Sequence, residues 1–313
     1  MSDYRNGSII IPVYYGEKTL SELVLRLQSV LPSLFSQYEL LLVNDGSHDG
    51  SWEIISALAK RHSWIHGINL MRNYGQHNAI LCGIRQVKYD TIITMDDDLQ
   101  HPPEEIPKLL EKLDEGYDVV YGSPEQEVHS IWRNLASQLT KLALQGTMGA
   151  QTARKVSAFR AFRTLVTQAF QSYQNSYVNI DVLLTWGTDR FTSVPVRHDT
   201  RYAGESRYTF RKLMVHAINM VTGFSVLPLQ IASWMGFAFA LFGGLVLVYV
   251  IGRYLIHGGS VPGFPFLAST IAIFSGVQLF ALGIIGEYLS RMHFRLMDRP
   301  PYLIRSDLIK GDQ

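Results

Sequence analysis

Two long stretches without a formal charge constrain this chain more than any other feature. Val226–Gly252 holds 27 consecutive residues with no Lys, Arg, Asp or Glu, and after the lone Arg253 a second stretch, Tyr254–Gly286, runs for 33. About 20 apolar residues cross the hydrocarbon core of a bilayer, so each stretch is long enough to span once. Both exceed the roughly 8–20 residues of a helix buried in a globular core. Between them, HGGSVPGFP carries the Gly and Pro residues of a tight loop. Arg207, Arg211 and Lys212 precede the pair, and Arg291, Arg295 and Arg299 follow it. Basic flanks face the cytoplasm, which predicts that both ends of the hairpin, and both termini, lie on that side. Arg253 then falls at the outer interface, where its side chain can snorkel. Just upstream, Tyr208–Gly223 places Phe210, Leu213, Met214, Ala217, Ile218 and Val221 on one helical face, with Arg211, Lys212, His216 and Asn219 largely opposite. That pattern predicts a helix in the headgroup plane; a surface helix packed on a soluble domain has the same pattern and stays open as an alternative.

The rest of the chain reads as a globular domain. The net charge of +1 argues against a dedicated nucleic-acid binder. It is also a sum of unlike parts: residues 1–196 carry 17 basic and 21 acidic side chains, whereas residues 197–313 carry 11 and 6. A single cysteine, Cys82, excludes an internal disulfide and a Cys-based zinc site. β-Rich runs at Ser8–Val13, Tyr38–Asn44, Ile65–Asn69, Thr91–Met95 and Asp118–Tyr121 alternate with helical patterns around Leu20–Leu31, Ser51–Arg61, Gln76–Val87 and Pro103–Glu115. Alternation of this kind predicts an α/β domain built on a parallel sheet covered on both faces. The expected domain boundaries are 1–206 the cytoplasmic α/β domain, 207–225 the amphipathic helix, 226–290 the transmembrane hairpin, and 291–313 a basic cytoplasmic tail.

Ligands of such sheets bind beyond the carboxyl ends of the strands, and there the sequence is acidic and polar. Pro12, Tyr14 and Glu17 follow the first strand, VNDGSHDGS with Asp45 the second, and MDDDLQHPPEE the fourth. No Gly-rich dinucleotide or phosphate-loop fingerprint follows any of them, which disfavours an NAD enzyme or an NTPase. Three successive aspartates, Asp96–Asp98, repel one another unless a cation is near. Their oxygens suit a hard divalent ion, Mg²⁺ or Mn²⁺, with Asp96 and Asp98 as the pair and Gln100 as a third donor. An Asx turn or helix cap ahead of Pro102 and Pro103 is the competing account of the same residues.

Taken together, SIIIPVYYGE, VNDGSHDGS, RNYGQHNAILCG and MDDDLQHPPEEIP resemble a family-2 glycosyltransferase of the GT-A, nucleotide-diphospho-sugar transferase, fold. RYAGESRYTFRKL, FSVLPL, GEYLSR and RPPYLIR extend the likeness to the polyprenyl-phosphate glycosyltransferases, the group of dolichol-phosphate mannose synthase and the bacterial undecaprenyl-phosphate sugar transferases. The resemblance runs from Ser8 to Arg305. It implies an inverting enzyme of the bacterial inner membrane that moves one sugar from a nucleotide sugar, a UDP-sugar by family likeness, to a polyprenyl phosphate with a divalent metal. It implies that Pro12, Tyr14, Glu17 and Asp45 cradle the nucleoside, that Asp96, Asp97 and Asp98 meet the donor, and that Asp96, Asp98 and Gln100 hold the metal. Arg133, Arg201 and Arg207 would meet phosphate charge, with Asp96, Asp98, Arg133 and Arg201 serving catalysis. Three positions depart from the family pattern. Arg154 and Lys155 stand where many relatives have an Asp, Pro124 stands where a basic residue is frequent, and Tyr15-Gly16 replaces a common Asn-Glu. The missing Asp leaves room for a second reading, a catalytically silent membrane scaffold. A processive polysaccharide synthase is disfavoured, because no Gln-x-x-Arg-Trp motif occurs. Small residues along the spans (Gly236, Gly243, Gly244 and Gly276) suit close packing of helices, including against a second copy of the chain.

Overall fold

The computed structural model describes residues 6–124, 156–175, 177–199, 227–257, 263–297 and 299–308. The chain divides into two units, Met1–Phe210 together with Asp298–Gln313, and Arg211–Met297.

The first unit is an eight-stranded sheet with helices. In chain order its elements are β1 (Asn6–Val13), α1 (Leu20–Leu34), β2 (Gln37–Asn44), α2 (Ser51–Arg61), β3 (Ile65–Leu70), α3 (Gln76–Ile84), β4 (Thr91–Thr94), α4 (Ile106–Asp114), β5 (Val119–Pro124), β6 (Arg160–Arg163), α5 (Ile180–Leu184) and β7 (Phe191–Val196). Strand β8 (Ile304–Asp307) completes the sheet. β1 is buried along nearly its whole length, as the unbroken apolar run IIIPV requires of a strand covered on both faces. α1 turns Leu20, Leu23, Val24, Leu27 and Leu31 inward at helical spacing, and α4 does the same with Ile106, Leu109, Leu110 and Leu113. These side chains meet Ile9, Ile11, Leu40 and Leu42 in one hydrophobic core.

Strand order is β7-β5-β6-β4-β1-β2-β3-β8. β1, β2, β3 and β4 are mutually parallel where they pair, but β6 runs antiparallel to both β4 and β5, and β8 runs antiparallel to β3. The sheet is therefore mixed, which corrects the all-parallel expectation. The chain proceeds from β1 outward to β2 and β3 on one side, and then to β4 on the other. This reversal opens a crevice beyond the carboxyl ends of β1 and β4, the place where such sheets take ligands.

The second unit contains α6 (Leu227–His257) and α7 (Phe264–Leu296). Within them Leu229–Ile256 and Ile273–His293 are long and apolar enough to cross a membrane, and neither is buried within the protein. Gly243 lets the helices approach, since a Cβ there would lie 2.9 Å from the Phe274 ring. Phe239 meets the same ring edge-on at 5.9 Å between centroids. Trp234, Leu255 and Ile256 project from α6 with most of their surface bare, as side chains facing lipid do. The Arg253 guanidinium donates to the Tyr249 hydroxyl one turn earlier, at 3.1 Å. The amphipathic segment Tyr208–Gly223 lies outside the described residues.

Candidate active site

Four loops converge at the crevice. The loop after β1 is stitched to the loop after β2: Tyr15 N–H donates to Ser47 Oγ at 3.1 Å, Gly16 N–H to Ser51 Oγ at 3.0 Å, and Gly50 N–H to Glu17 Oε2 at 3.2 Å. Tyr14 and Tyr15 keep their rings 4.6 Å apart, edge to face and partly exposed over the crevice. Pro12 is buried within β1, two residues past its last pairing with β4.

Asp45 begins the second loop and is 2 % exposed. Its two carboxylate oxygens accept the N–H groups of Tyr74, at 2.7 Å, and Gly75, at 2.9 Å. Burial pushes the Asp45 carboxyl up, and those two N–H groups pull it back part of the way. Gly46 adopts φ +67°, and a Cβ there would lie 2.4 Å from the backbone of Arg72 and Asn73. Only glycine lets the two loops lie this close. The loop Met71–Gly75 is thus seated on the Asp45-Gly46 turn.

The acidic turn after β4 meets the β1 loop. A Cβ on Gly16 would stand 2.5 Å from Asp97 Oδ2, an atom that is buried and has no hydrogen-bond partner among the described residues. Burial, with the Asp96 and Asp98 carboxylates on either side, pushes the Asp97 carboxyl up to about 7, and the Tyr14 N–H opposes that shift. Asp96 Oδ1 accepts a bond from Gln76 Nε2, the first residue of α3. Asp98 Oδ1 accepts the Gln100 N–H at 3.1 Å, so the Asx turn forms as well. Gln100 O accepts the Asp199 N–H at 2.9 Å. Tyr15 and Leu99 are the non-glycine residues with positive φ among those described, both at 61°. They flank this crevice, and backbone strain of that kind gathers where a site must hold a set shape.

Behind the turn is a buried polar network that the sequence does not announce. Arg160, 1 % exposed, pairs with Asp181 and donates from Nε to Thr94 Oγ1 at 2.9 Å. The Tyr121 hydroxyl donates to the same Asp181 oxygen at 3.1 Å. Burial works against the charge on Arg160, and Asp181, Tyr121 and Asp96 more than offset it, so its pKa is raised. His101 stacks on Phe159 and meets His198 edge-on at 4.9 Å; burial first, then His198, lowers its pKa to about 4, which keeps the ring neutral.

Of the residues singled out in the sequence, Tyr14, Glu17, Asp45, Asp96, Asp97, Asp98 and Gln100 lie on this cluster of loops, and Pro12 lies at the end of β1 that feeds it. Arg133, Arg154, Lys155, Arg201 and Arg207 lie outside the described residues. Gln76, Thr94, Arg160 and Asp181 join the site without a forewarning at the level of single residues, although Gln76 falls inside the RNYGQHNAILCG motif. Among the described residues no three Asp, Glu, His or Cys side chains gather as a metal cage.

Residues 8–169, just over half of the chain, match the profile of glycosyl transferase family 2. The undecaprenyl-phosphate 4-deoxy-4-formamido-L-arabinose transferase of Pseudomonas paraeruginosa (strain DSM 24068 / PA7) is 36% identical over 300 residues, covering 95% of this chain and 88% of the relative. The protein of the same name from Edwardsiella ictaluri (strain 93-146) is 37% identical over 320 residues, covering 100% and 98%. Among solved structures, glucosyl-3-phosphoglycerate synthase from Mycobacterium tuberculosis in complex with phosphoglyceric acid superposes with a TM-score of 0.52 at 16% identity, over 70% of this chain and 78% of that one. The same synthase with Mn²⁺, uridine-diphosphate-glucose and phosphoglyceric acid gives 0.50 at 17% identity over the same shares. Likeness at that level establishes a shared fold.

Proposed function

The chain belongs to glycosyl transferase family 2, and from that premise we propose that it moves one sugar from a UDP-sugar to undecaprenyl phosphate, with inversion, at the cytoplasmic face of a bacterial inner membrane. The observation that carries this reading is the seating of the Asp96–Asp98 turn against the β1 loop, at the point where the sheet reverses its order. The full-length relatives named for an undecaprenyl-phosphate transferase supply the acceptor.

In this reading the nucleoside rests among Pro12, Tyr14 and Glu17. Asp45 lies with them: its oxygens accept the N–H groups of Tyr74 and Gly75, which fixes the loop Met71–Gly75, and each keeps a lone pair for the base. The residues fit a divalent ion. Asp96, Asp98 and Gln100 offer hard oxygen donors, and two carboxylates completed by substrate phosphates are the usual holding of Mg²⁺, which seldom takes an all-protein cage. When bound, such an ion supplies positive charge to the leaving diphosphate. Arg133, Arg201 and Arg207 are assigned to the donor and acceptor phosphates, as the family likeness has them.

A phosphate monoester has its second pKa at about 6, so the acceptor is already an anion at neutral pH. Its oxygen attacks the anomeric carbon, the bond from that carbon to the β-phosphate oxygen breaks, and UDP leaves from the opposite face. No protein base is required, so Arg154 and Lys155 in place of an Asp do not block turnover. Undecaprenol, which lacks the phosphate, is expected to accept no sugar under conditions where undecaprenyl phosphate does. Label on the free alcohol would overturn the proposal.

The chain path supports this membrane arrangement. β8, which comes after α7, pairs with β3 of the same sheet that holds β1. A hairpin spanning the membrane between them would begin and end on one side, and the basic flanks favour the cytoplasm for it. An alkaline phosphatase fused after Gln313 is expected to be inactive in cells; an active fusion would reverse the topology.

A further inference from the structure

The loop Met71–Gly75 is held from two sides. Asp45 and Gly46 support it from the sheet, as described above. From the other side it is met by the segment that returns from the apolar hairpin. Leu303 O accepts the Met71 N–H at 2.9 Å, and the Arg305 guanidinium donates to Met71 O at 3.2 Å. Ile304 pairs with Leu70, with a shift of register between Asn69 and Leu70. Such a shift bends a strand and ends its regular ladder, so beyond it the backbone groups of Met71 depend on Leu303 and Arg305.

Tyr302 fastens this segment to α3. Its hydroxyl accepts from Arg85 at 3.4 Å, the guanidinium carbon lies 5.6 Å from its ring centroid, and it hydrogen-bonds the thiol of buried Cys82. Arg85 in turn donates to the carbonyl oxygens of Gln171 and Tyr173. Covering an exposed strand edge would need only the pairing of Ser306 and Asp307 with β3. The contacts of Leu303 and Arg305 go further, past the end of β3 and onto Met71, while Tyr302 holds the segment against α3.

We infer that Tyr302, Leu303 and Arg305 are positioning residues that set the conformation of Met71–Gly75 and, through the adjoining Gln76, the orientation of the Asp96 carboxylate. The donor site is then incomplete until the chain beyond α7 has docked on the sheet. This ties donor binding to a correctly completed hairpin, and it rests on the reading of the crevice as the donor site.

The test uses the full-length protein in detergent with Tyr302→Ala and Arg305→Ala, the second being a surface change that leaves the fold intact if the first does not. Three quantities are measured: amide exchange across residues 71–76, alkylation of Cys82 by a small maleimide, and KM for donor and acceptor separately. Exchange across 71–76 is expected to rise about tenfold, and donor KM by a similar factor, the scale of one lost hydrogen bond, while acceptor KM moves less than about twofold. In wild type, burial pushes the Cys82 thiol up to about 12, so it should resist the reagent and become reactive in Tyr302→Ala. Tyr302→Phe, which keeps the ring, is expected to restore most of the donor affinity. Unchanged exchange across 71–76 would overturn the inference, and so would faster exchange with an unmoved donor KM. If wild type transfers no sugar from any donor but its exchange still responds to Arg305→Ala, the proposed function falls and the docking of the segment on the loop stands.

Discussion

Asp98→Asn is expected to lower turnover by about 100- to 1,000-fold, the loss typical when one electrostatic stabiliser of a leaving group is removed. The substitution preserves shape. Asp98 Oδ1 accepts the Gln100 N–H, and an asparagine Oδ1 can do the same, so the turn stays closed while the charge is lost. Its stability should therefore change no more than a surface substitution changes it, within about 0.5 kcal/mol. Initial rates with Mn²⁺ and labelled donor measure the first quantity, and a melt of the same sample measures the second. Full activity in this variant would remove Asp98 from the metal-holding set.

Asp181→Ala is expected to cost stability. It leaves Arg160, 1 % exposed, with Thr94 but without its carboxylate. Breaking a buried pair from one side costs about 3–5 kcal/mol, which for a domain of this size lowers the melting midpoint on the order of 10 °C. Replacing both partners with apolar residues, Arg160→Met with Asp181→Leu, is expected to recover much of the loss, because no bare charge remains. Thr94 closes β4 two residues before Asp96, so the network also supports the acidic turn from below. A single variant that melted like wild type would show that Arg160 finds water or another anion on losing Asp181.

The first five strands and four helices are legible because their periods are unambiguous. IIIPV and LLLV are unbroken apolar runs between turns, and α1 and α4 repeat at helical spacing. β6 and β8 are not, being four residues each, RAFR and IRSD, with no apolar pattern of their own. They become strands because β4, β5 and β3 present edges to them. The site divides in the same way. Acidic and Gly-rich turns carry their own chemistry in one dimension, so Asp45, Asp96 and Asp98 could be found there. What Asp45 binds could not, since its partners, the N–H groups of Tyr74 and Gly75, are backbone groups about thirty residues away that any sequence would supply. Likewise Arg160 and Asp181 look like ordinary charges until burial brings them together, and Tyr302 reaches Arg85 across 217 residues of chain.

The near-neutral charge is best understood through the same division. An acidic domain that suits a cation and a basic collar that suits anionic lipid nearly cancel in the total, and neither surface is neutral. Both features serve one account: a family-2 transferase working on a lipid phosphate at a membrane surface.

The most direct test of that account is mass spectrometry of the lipid formed when the purified full chain is given undecaprenyl phosphate, Mn²⁺ and a panel of UDP-sugars. The account predicts a product bearing one sugar and one phosphate, with one UDP released for each lipid formed. A product carrying two phosphates would mean that a sugar phosphate had been transferred, and no product from any donor would favour a catalytically silent scaffold; either result would contradict it.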